Sequence, residues 1–170
     1  AQQIGLNVKG VSFPGHFLMK LSVKNGDIIL DPFNGNSLSR EAIEDRLEPF
    51  FINGRGPNDP PVASYLAEAS ATTILVRMLR NLKALFAEHP HWQQFLNVQQ
   101  RLVMLLPDEV SERRDRGLAY AQLDCPQAAL EDLEAYLAQC PQASDADTLR
   151  QQLPELRAAS RRLKIGRAHV

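Results

Sequence analysis

Displaced by the interval that carries Pro107 onto Pro141, this sequence falls like residue onto like. Phe86 lands on Tyr120, Leu96 on Leu130 and Val103 on Leu137. A fixed period of this length, about 34 residues, marks a solenoid, in which each unit buries its apolar face against the next. From Thr72 onward, Ile74, Leu75, Met78, Leu79, Leu82, Leu85 and Phe86 recur at threes and fours, the period of an amphipathic helix. Pro90, Pro107, Pro126 and Pro141 punctuate the stretch, because proline lacks the N–H that a continuing helix needs. The expected helices are 72–89, 91–106, 111–123, 127–139 and 145–163, the last interrupted by Pro154, which kinks or splits it.

Within the second copy, Gly117, Tyr120, Ala129, Leu133 and Pro141 stand at the spacing of the tetratricopeptide repeat. The residue types make physical sense. Gly117 and Ala129 are small where paired helices cross closely, and Tyr120 and Leu133 fill the adjoining gap. Pro141, like Pro107 before it, turns the chain into the next unit. The first copy departs from the pattern: Phe86 keeps the aromatic position, but Lys83 stands at the Gly117 position and Phe95 at that of Ala129. The expectation is an all-α domain over 72–163, with repeats at 76–109 and 110–143 and a capping helix at 145–163. An irregular bundle with a coincidental period is the alternative.

The segment over 1–60 reads differently. Its stretch 8–32 is expected to be β. Phe17, Met19, Leu21 and Val23 alternate, the period of a half-buried strand. Asn25-Gly26 is a strong hairpin signal, because both residue types accept positive φ. Ile28-Ile29-Leu30 continues as a buried strand until Asp31-Pro32 ends it. Ser39 is placed to cap a short helix over 40–47. The turn formers crowded into 53–61 mark the expected boundary between a domain over 1–60 and the helices. The stretch 1–5 reads as the tail of a helix, and 164–170 as a non-native tail.

The blocks Pro14-Gly15-His16-Phe17 and Asp31-Pro32-Phe33-Asn34-Gly35, followed by Arg77-Met78-Leu79-Arg80-Asn81-Leu82-Lys83, resemble the SirB-type bacterial proteins. These couple a transglutaminase-like domain to C-terminal tetratricopeptide repeats. The resemblance implies an α+β chain: a remnant of a transglutaminase-like (papain-like) β-sheet core, then an all-α helical stack. In such a core a cysteine thiolate attacks an acyl carbon, a histidine moves the proton, and a carboxylate holds the imidazole tautomer. By resemblance His16 matches the histidine and Asp31 the acid, and the nucleophile would lie upstream of Ala1. With Asn25-Gly26 as a strict two-residue turn, Asp31 lies opposite Lys20, four positions from His16. At about 3.4 Å per residue that is roughly 13 Å, too far for a hydrogen bond.

Two readings follow. In one, the chain belongs to a cytoplasmic interaction or regulatory protein. Its repeats bind a protein or peptide partner, and His16 and Asp31 are a retained polar pair stabilising a catalytically decayed core. In the other it belongs to a thiol-dependent acyl transferase or amide hydrolase whose repeats choose the substrate. Composition excludes other classes. Charged residues make up 23% with a net charge of -1, and no basic stripe offers a nucleic-acid footprint. No apolar run reaches the roughly 18 residues of a membrane span. Cys125 and Cys140 lack His or acid at metal-ligand spacing, so no metal or cofactor is expected. They read as small packing residues in a reducing compartment. His89 and His91 read as loop residues, Trp92 as a packing anchor, and Gly54-Arg55-Gly56 as a plain loop.

Overall fold

The computed structural model describes residues 5–52, 54–88 and 91–167, with side chains to residue 163. The expected helix tail at the N-terminus therefore falls almost wholly outside the described residues, as do His89 and Pro90. The chain divides into two compact units, Ala1–Arg77 and Met78–Val170. It is α+β: an open three-stranded sheet followed by a stack of helices.

In the first unit, β1 (Val8–Ser12), β2 (Phe17–Val23) and β3 (Gly26–Leu30) form an antiparallel meander. The hairpin register corrects the sequence expectation. Val23 pairs with Gly26 and Met19 with Leu30, so the turn residues are Lys24 and Asn25. Gly26 takes the positive φ of 137°, and Asp124 is the one non-glycine at positive φ among the described residues. Glycine accepts that conformation without cost, so it draws the turn one residue back and shifts the strand register by two.

The buried face of β2 also differs from the expected one. Val11, Phe13, Leu18 and Leu47 are fully buried and form a core with Ile29 and Ile43, whereas Phe17, Met19 and Leu21 are only half-buried and Val23 is exposed. Gly10 lies on the other face. A Cβ there would meet Ile74 Cδ1 at 2.7 Å and the Phe17 ring at 2.9 Å. Both faces of the strand are thus covered, and alternation alone cannot say which is deeper.

Helix α1 (Arg40–Leu47) is capped as expected, with Ser39 Oγ accepting from the Ala42 N–H. A 3-10 turn (Glu48–Phe50) follows, and α2 (Val62–Tyr65) comes after the turn-rich loop. The chain then returns to the sheet: Val62, Tyr65 and Leu66 pack on its core, and the Ala69 N–H donates to Gly10 O at 2.8 Å. The turn-rich stretch lies inside the first unit for that reason. The division falls later, within α3 (Ala71–Glu88).

The second unit continues with α4 (Trp92–Leu105), α5 (Val110–Gln122), α6 (Pro126–Gln139) and α7 (Ala146–Arg167). The period survives in three dimensions. The displacement that carries Pro107 onto Pro141 also carries the first and last residues of α4, Trp92 and Leu105, onto those of α6, Pro126 and Gln139. It carries Glu88, which ends α3, onto Gln122, which ends α5. The joints repeat as well. His91 and Cys125, which precede α4 and α6, have φ/ψ of −97°/70° and −107°/62°. Leu106 and Cys140, which follow them, have −130°/65° and −126°/61°. Pro107 and Pro141 stand just after these joints, and Pro141 is exposed. Helix α7 runs unbroken through Pro154 to Arg167; a solvent-facing proline removes one hydrogen bond without ending the helix. Its backbone thus enters the segment read as a tail, whose last three residues, 168–170, lie outside the described residues.

Candidate functional site

The Asp-Pro-Phe-Asn-Gly block forms a tight reversal after β3. The Asp31 N–H donates to Asn36 O at 2.9 Å, and the Gly35 N–H donates back to Asp31 O at 2.8 Å. Gly35 takes a φ of 75°, which explains the glycine. The Asp31 side chain closes the turn from within, Oδ1 accepting from the Phe33 N–H at 2.9 Å. Oδ2 lies 2.9 Å from Arg46 Nη1 on the last turn of α1. Asp31 is 7% exposed. The Phe33 N–H and then the Arg46 guanidinium hold its carboxyl below the ordinary carboxylate value, against a smaller opposing push from burial.

His16 stands just before β2, exposed, with its backbone N–H donating to Phe13 O at 3.2 Å. Gly15 before it has a φ of 68°, and a Cβ there would meet Phe50 Cζ at 2.9 Å. Continuing the corrected register one step past its last pair, Met19 with Leu30, sets Asp31 across from Leu18, so two strand positions separate it from His16. That is about 7 Å along the sheet, half the expected separation and on the same face. His16 adds a weak pull on the Asp31 carboxyl. No hydrogen bond or ion pair joins the two side chains among the described residues. The arrangement therefore supplies a fixed, ionised carboxylate and an exposed imidazole near it, without the carboxylate–imidazole bond that would orient a working base. Each Asp31 oxygen keeps one lone pair beyond its present partner.

Sequence reasoning missed Arg46 and Arg77. Arg77 Nη1 donates to Phe13 O at 2.7 Å and to Ser12 Oγ at 3.3 Å, holding the strand that leads to His16. The signal was present in the Arg77–Lys83 block, but an arginine's partner cannot be read from spacing. Both cysteines are free and belong to the second unit, Cys125 exposed and Cys140 half-buried. No group of three or more metal-ligating side chains occurs among the described residues.

In the second unit the repeat residues mesh, with one correction. A Cβ on Gly117 would meet Leu133 Cγ at 2.9 Å and Asp132 Cβ at 3.1 Å. The close crossing pairs Gly117 with Leu133 rather than with Ala129, which is fully buried one turn earlier. Tyr120 and Phe86 join a cluster with Phe95, Leu96 and Ala119, while Leu133 belongs to the next cluster with Tyr136, Leu137 and Ala146. Trp92 packs edge-on to Phe95 at 5.8 Å.

Between these apolar layers runs a polar ladder. Lys83, at the Gly117-equivalent position, reaches Glu112 Oε2 at 2.6 Å and Asp115 Oδ2 at 2.5 Å. Glu112 is 3% exposed and also accepts from Gln99 Nε2 at 3.2 Å and Arg80 Nε at 3.3 Å. Burial pushes the Glu112 carboxyl up, yet Lys83 and these donors bring it below its ordinary value. Arg114 bridges Asp115 and Asp145, and Arg116 forks onto Asp132 at 2.6 and 2.7 Å. The first copy's departure from glycine is thus a change of chemistry at one joint, with a charge pair between half-buried Lys83 and buried Glu112 in place of a close crossing.

Comparison with known proteins agrees with this two-part layout. Residues 1–80 match the transglutaminase-like superfamily, and residues 82–154 match the tetratricopeptide repeat. A UPF0162 protein of Xylella fastidiosa (strain Temecula1) is 40% identical over 157 residues, covering 92% of this chain and 56% of that protein. UPF0162 protein YchA of Escherichia coli K12 is 32% identical over 154 residues, with 90% and 56% covered. Protein SirB1 of Salmonella typhimurium is 30% identical over 158 residues, again with 90% and 56% covered. The chain spans little more than half the length of these curated relatives. No solved structure matches it. No helix among the described residues is long and apolar enough to cross a membrane. From its matched segments and its SirB-type relatives, the chain belongs to the family that joins a transglutaminase-like core to C-terminal tetratricopeptide repeats.

Proposed function

We infer that the chain serves a cytoplasmic interaction or regulatory protein, in which the repeats bind a protein or peptide and the transglutaminase-like segment is a scaffold. The observation that carries this reading is the engagement of Asp31. One carboxylate oxygen closes a turn and the other meets Arg46, while no bond runs to His16 among the described residues. A carboxylate committed to its own loop is a structural residue first. The cysteines belong to the repeat unit, away from any segment that matches a nucleophile position.

A second reading keeps the thiol-dependent acyl-transfer or amide-hydrolysis chemistry, with the nucleophile upstream of Ala1. Its support is the shared face of His16 and Asp31 and the pull of His16 on the carboxyl. The test is ammonia release from glutamine-containing peptides by the chain extended upstream to the full length of its relatives, measured as the wild type and as His16→Ala. No turnover by either is the expected result. Turnover that depends on His16 would replace the scaffold reading with the catalytic one.

A further inference from the structure

Helix α1 meets the sheet through Ile43 and Leu47, which are buried in one core with Leu18 and Ile29. Arg46 stands beside Leu47 on the last turn of that helix, so the packed face of α1 delivers it to the sheet face that carries Asp31 and His16. Its Nη1 is buried, and among the described residues no well-aligned hydrogen bond reaches it; its contact is the ion pair to Asp31 Oδ2 at 2.9 Å. A buried guanidinium nitrogen in that position depends on the carboxylate beside it. The carboxylate is in turn pinned at both oxygens, Oδ1 by the Phe33 N–H and Oδ2 by Arg46. His16 lies diagonal to it across the strands, at about 7–8 Å, a gap that an aromatic side chain can bridge. A lone pair is free on each oxygen, but the gap closes only if the carboxyl swings, and swinging strips Nη1 of its partner. All three residues belong to the first unit, Ala1–Arg77.

We propose that Arg46 is the residue that withholds Asp31 from His16, and that without its charge the carboxylate swings to the imidazole. The inference rests on the scaffold reading and says what keeps this segment a scaffold. The cause is a cation on α1, not the loss of His16 or Asp31. It has a chemical signature. A carboxylate bonded to one ring nitrogen fixes the proton on that nitrogen, the orientation a working base needs. With Oδ2 held by Arg46, the neutral ring of His16 is left with both tautomers. Loss of a nearby charge alone changes how readily the ring takes up a proton, but does not choose between its nitrogens.

Nitrogen NMR of the imidazole rings at alkaline pH tests this, in the chain extended upstream to the full length of its relatives. The His16 signals are those lost in His16→Gln. The wild type is expected to show both tautomers. Arg46→Met should move the ratio by about tenfold toward one of them, the effect of one charge-assisted hydrogen bond. Arg46→Lys, which keeps the cation, should return the wild-type ratio. Far-UV circular dichroism checks that each variant is folded. If Arg46→Met fails to fold, Arg46→Gln replaces it, with the same expectation. An unchanged ratio in the folded uncharged variant, or a wild type already in a single tautomer, overturns the proposal. Ammonia release by the wild type tests the scaffold reading separately. Turnover together with the tautomer change would remove the scaffold reading and keep Arg46 as the residue that holds Asp31.

Discussion

Replacing Gly117 by alanine sets two effects of known sign against each other. Glycine inside a helix costs about 1 kcal/mol relative to alanine, so on an open helix face the substitution would stabilise. Here the new Cβ would sit 2.9 Å from Leu133 Cγ, 3.0 Å from Leu133 Cδ2 and 3.1 Å from Asp132 Cβ. Neither neighbour yields easily. Leu133 is fully buried, and Asp132 is held by the two-pronged contact from Arg116. Overpacking of this kind costs about 1–3 kcal/mol, so the net expectation is a loss of about 1 kcal/mol. The decisive measurement is a double-mutant cycle with Leu133→Ala. That substitution alone should cost about 2–5 kcal/mol, but it removes the two nearest obstructing atoms and leaves only Asp132 Cβ at 3.1 Å. In its background Gly117→Ala should then be neutral or stabilising by up to about 1 kcal/mol, a reversal of sign rather than mere non-additivity. Urea unfolding followed by the single tryptophan suits the purpose, because half-buried Trp92 packs against a core cluster of the second unit. If Gly117→Ala stabilises the wild-type chain, or if the two effects simply add, the close-crossing explanation of the glycine is wrong.

Glu112→Gln should destabilise the second unit by about 2 kcal/mol, since Lys83 and Arg80 lose the charge they face; urea titration measures it. The folded Glu112 carboxyl lies below its ordinary 4.5. Its stabilisation is therefore complete above that pH and lost as pH falls through the folded value. A wild-type acid titration should be steeper there than that of Glu112→Gln. Asp31→Asn should loosen the first unit, because the amide keeps the Phe33 contact but not the charge for Arg46; faster amide exchange at Gly35 and Asn36 would show it, and unchanged exchange would refute it. Tyr136→Phe should cost about 1 kcal/mol on urea unfolding, as the hydroxyl donates to Asp145 Oδ1 at 2.9 Å.

The repeat was legible because it rests on local rules that act again and again. Proline marks the joints at Pro107 and Pro141 by its chemistry alone, although Pro154 sits inside α7 without ending it, and a glycine at a crossing needs no distant partner to be recognised. The β part was harder. Asn25 and Gly26 both tolerate positive φ, so composition located the turn but could not say which residue would take it. That single choice moved Asp31 two positions along its neighbour and halved its separation from His16. Alternation at Phe17, Met19 and Leu21 found the strand but not its deeper face, because α3 covers the other side of it. Arg46 and Arg77 were invisible for a simpler reason. A long side chain chooses its acceptor through space, and 64 residues separate Arg77 from Phe13.

The copied joints have a consequence for growth. His91 and Cys125 bend the backbone alike, and so do Leu106 and Cys140, so each unit enters and leaves in the same pose. An in-frame duplication of residues 110–143 would splice in a module whose two ends already fit, lengthening the superhelix without inventing a connection. Gene tinkering in such a molecule works by counting: its length is an adjustable variable, while the angle from each module to the next is inherited.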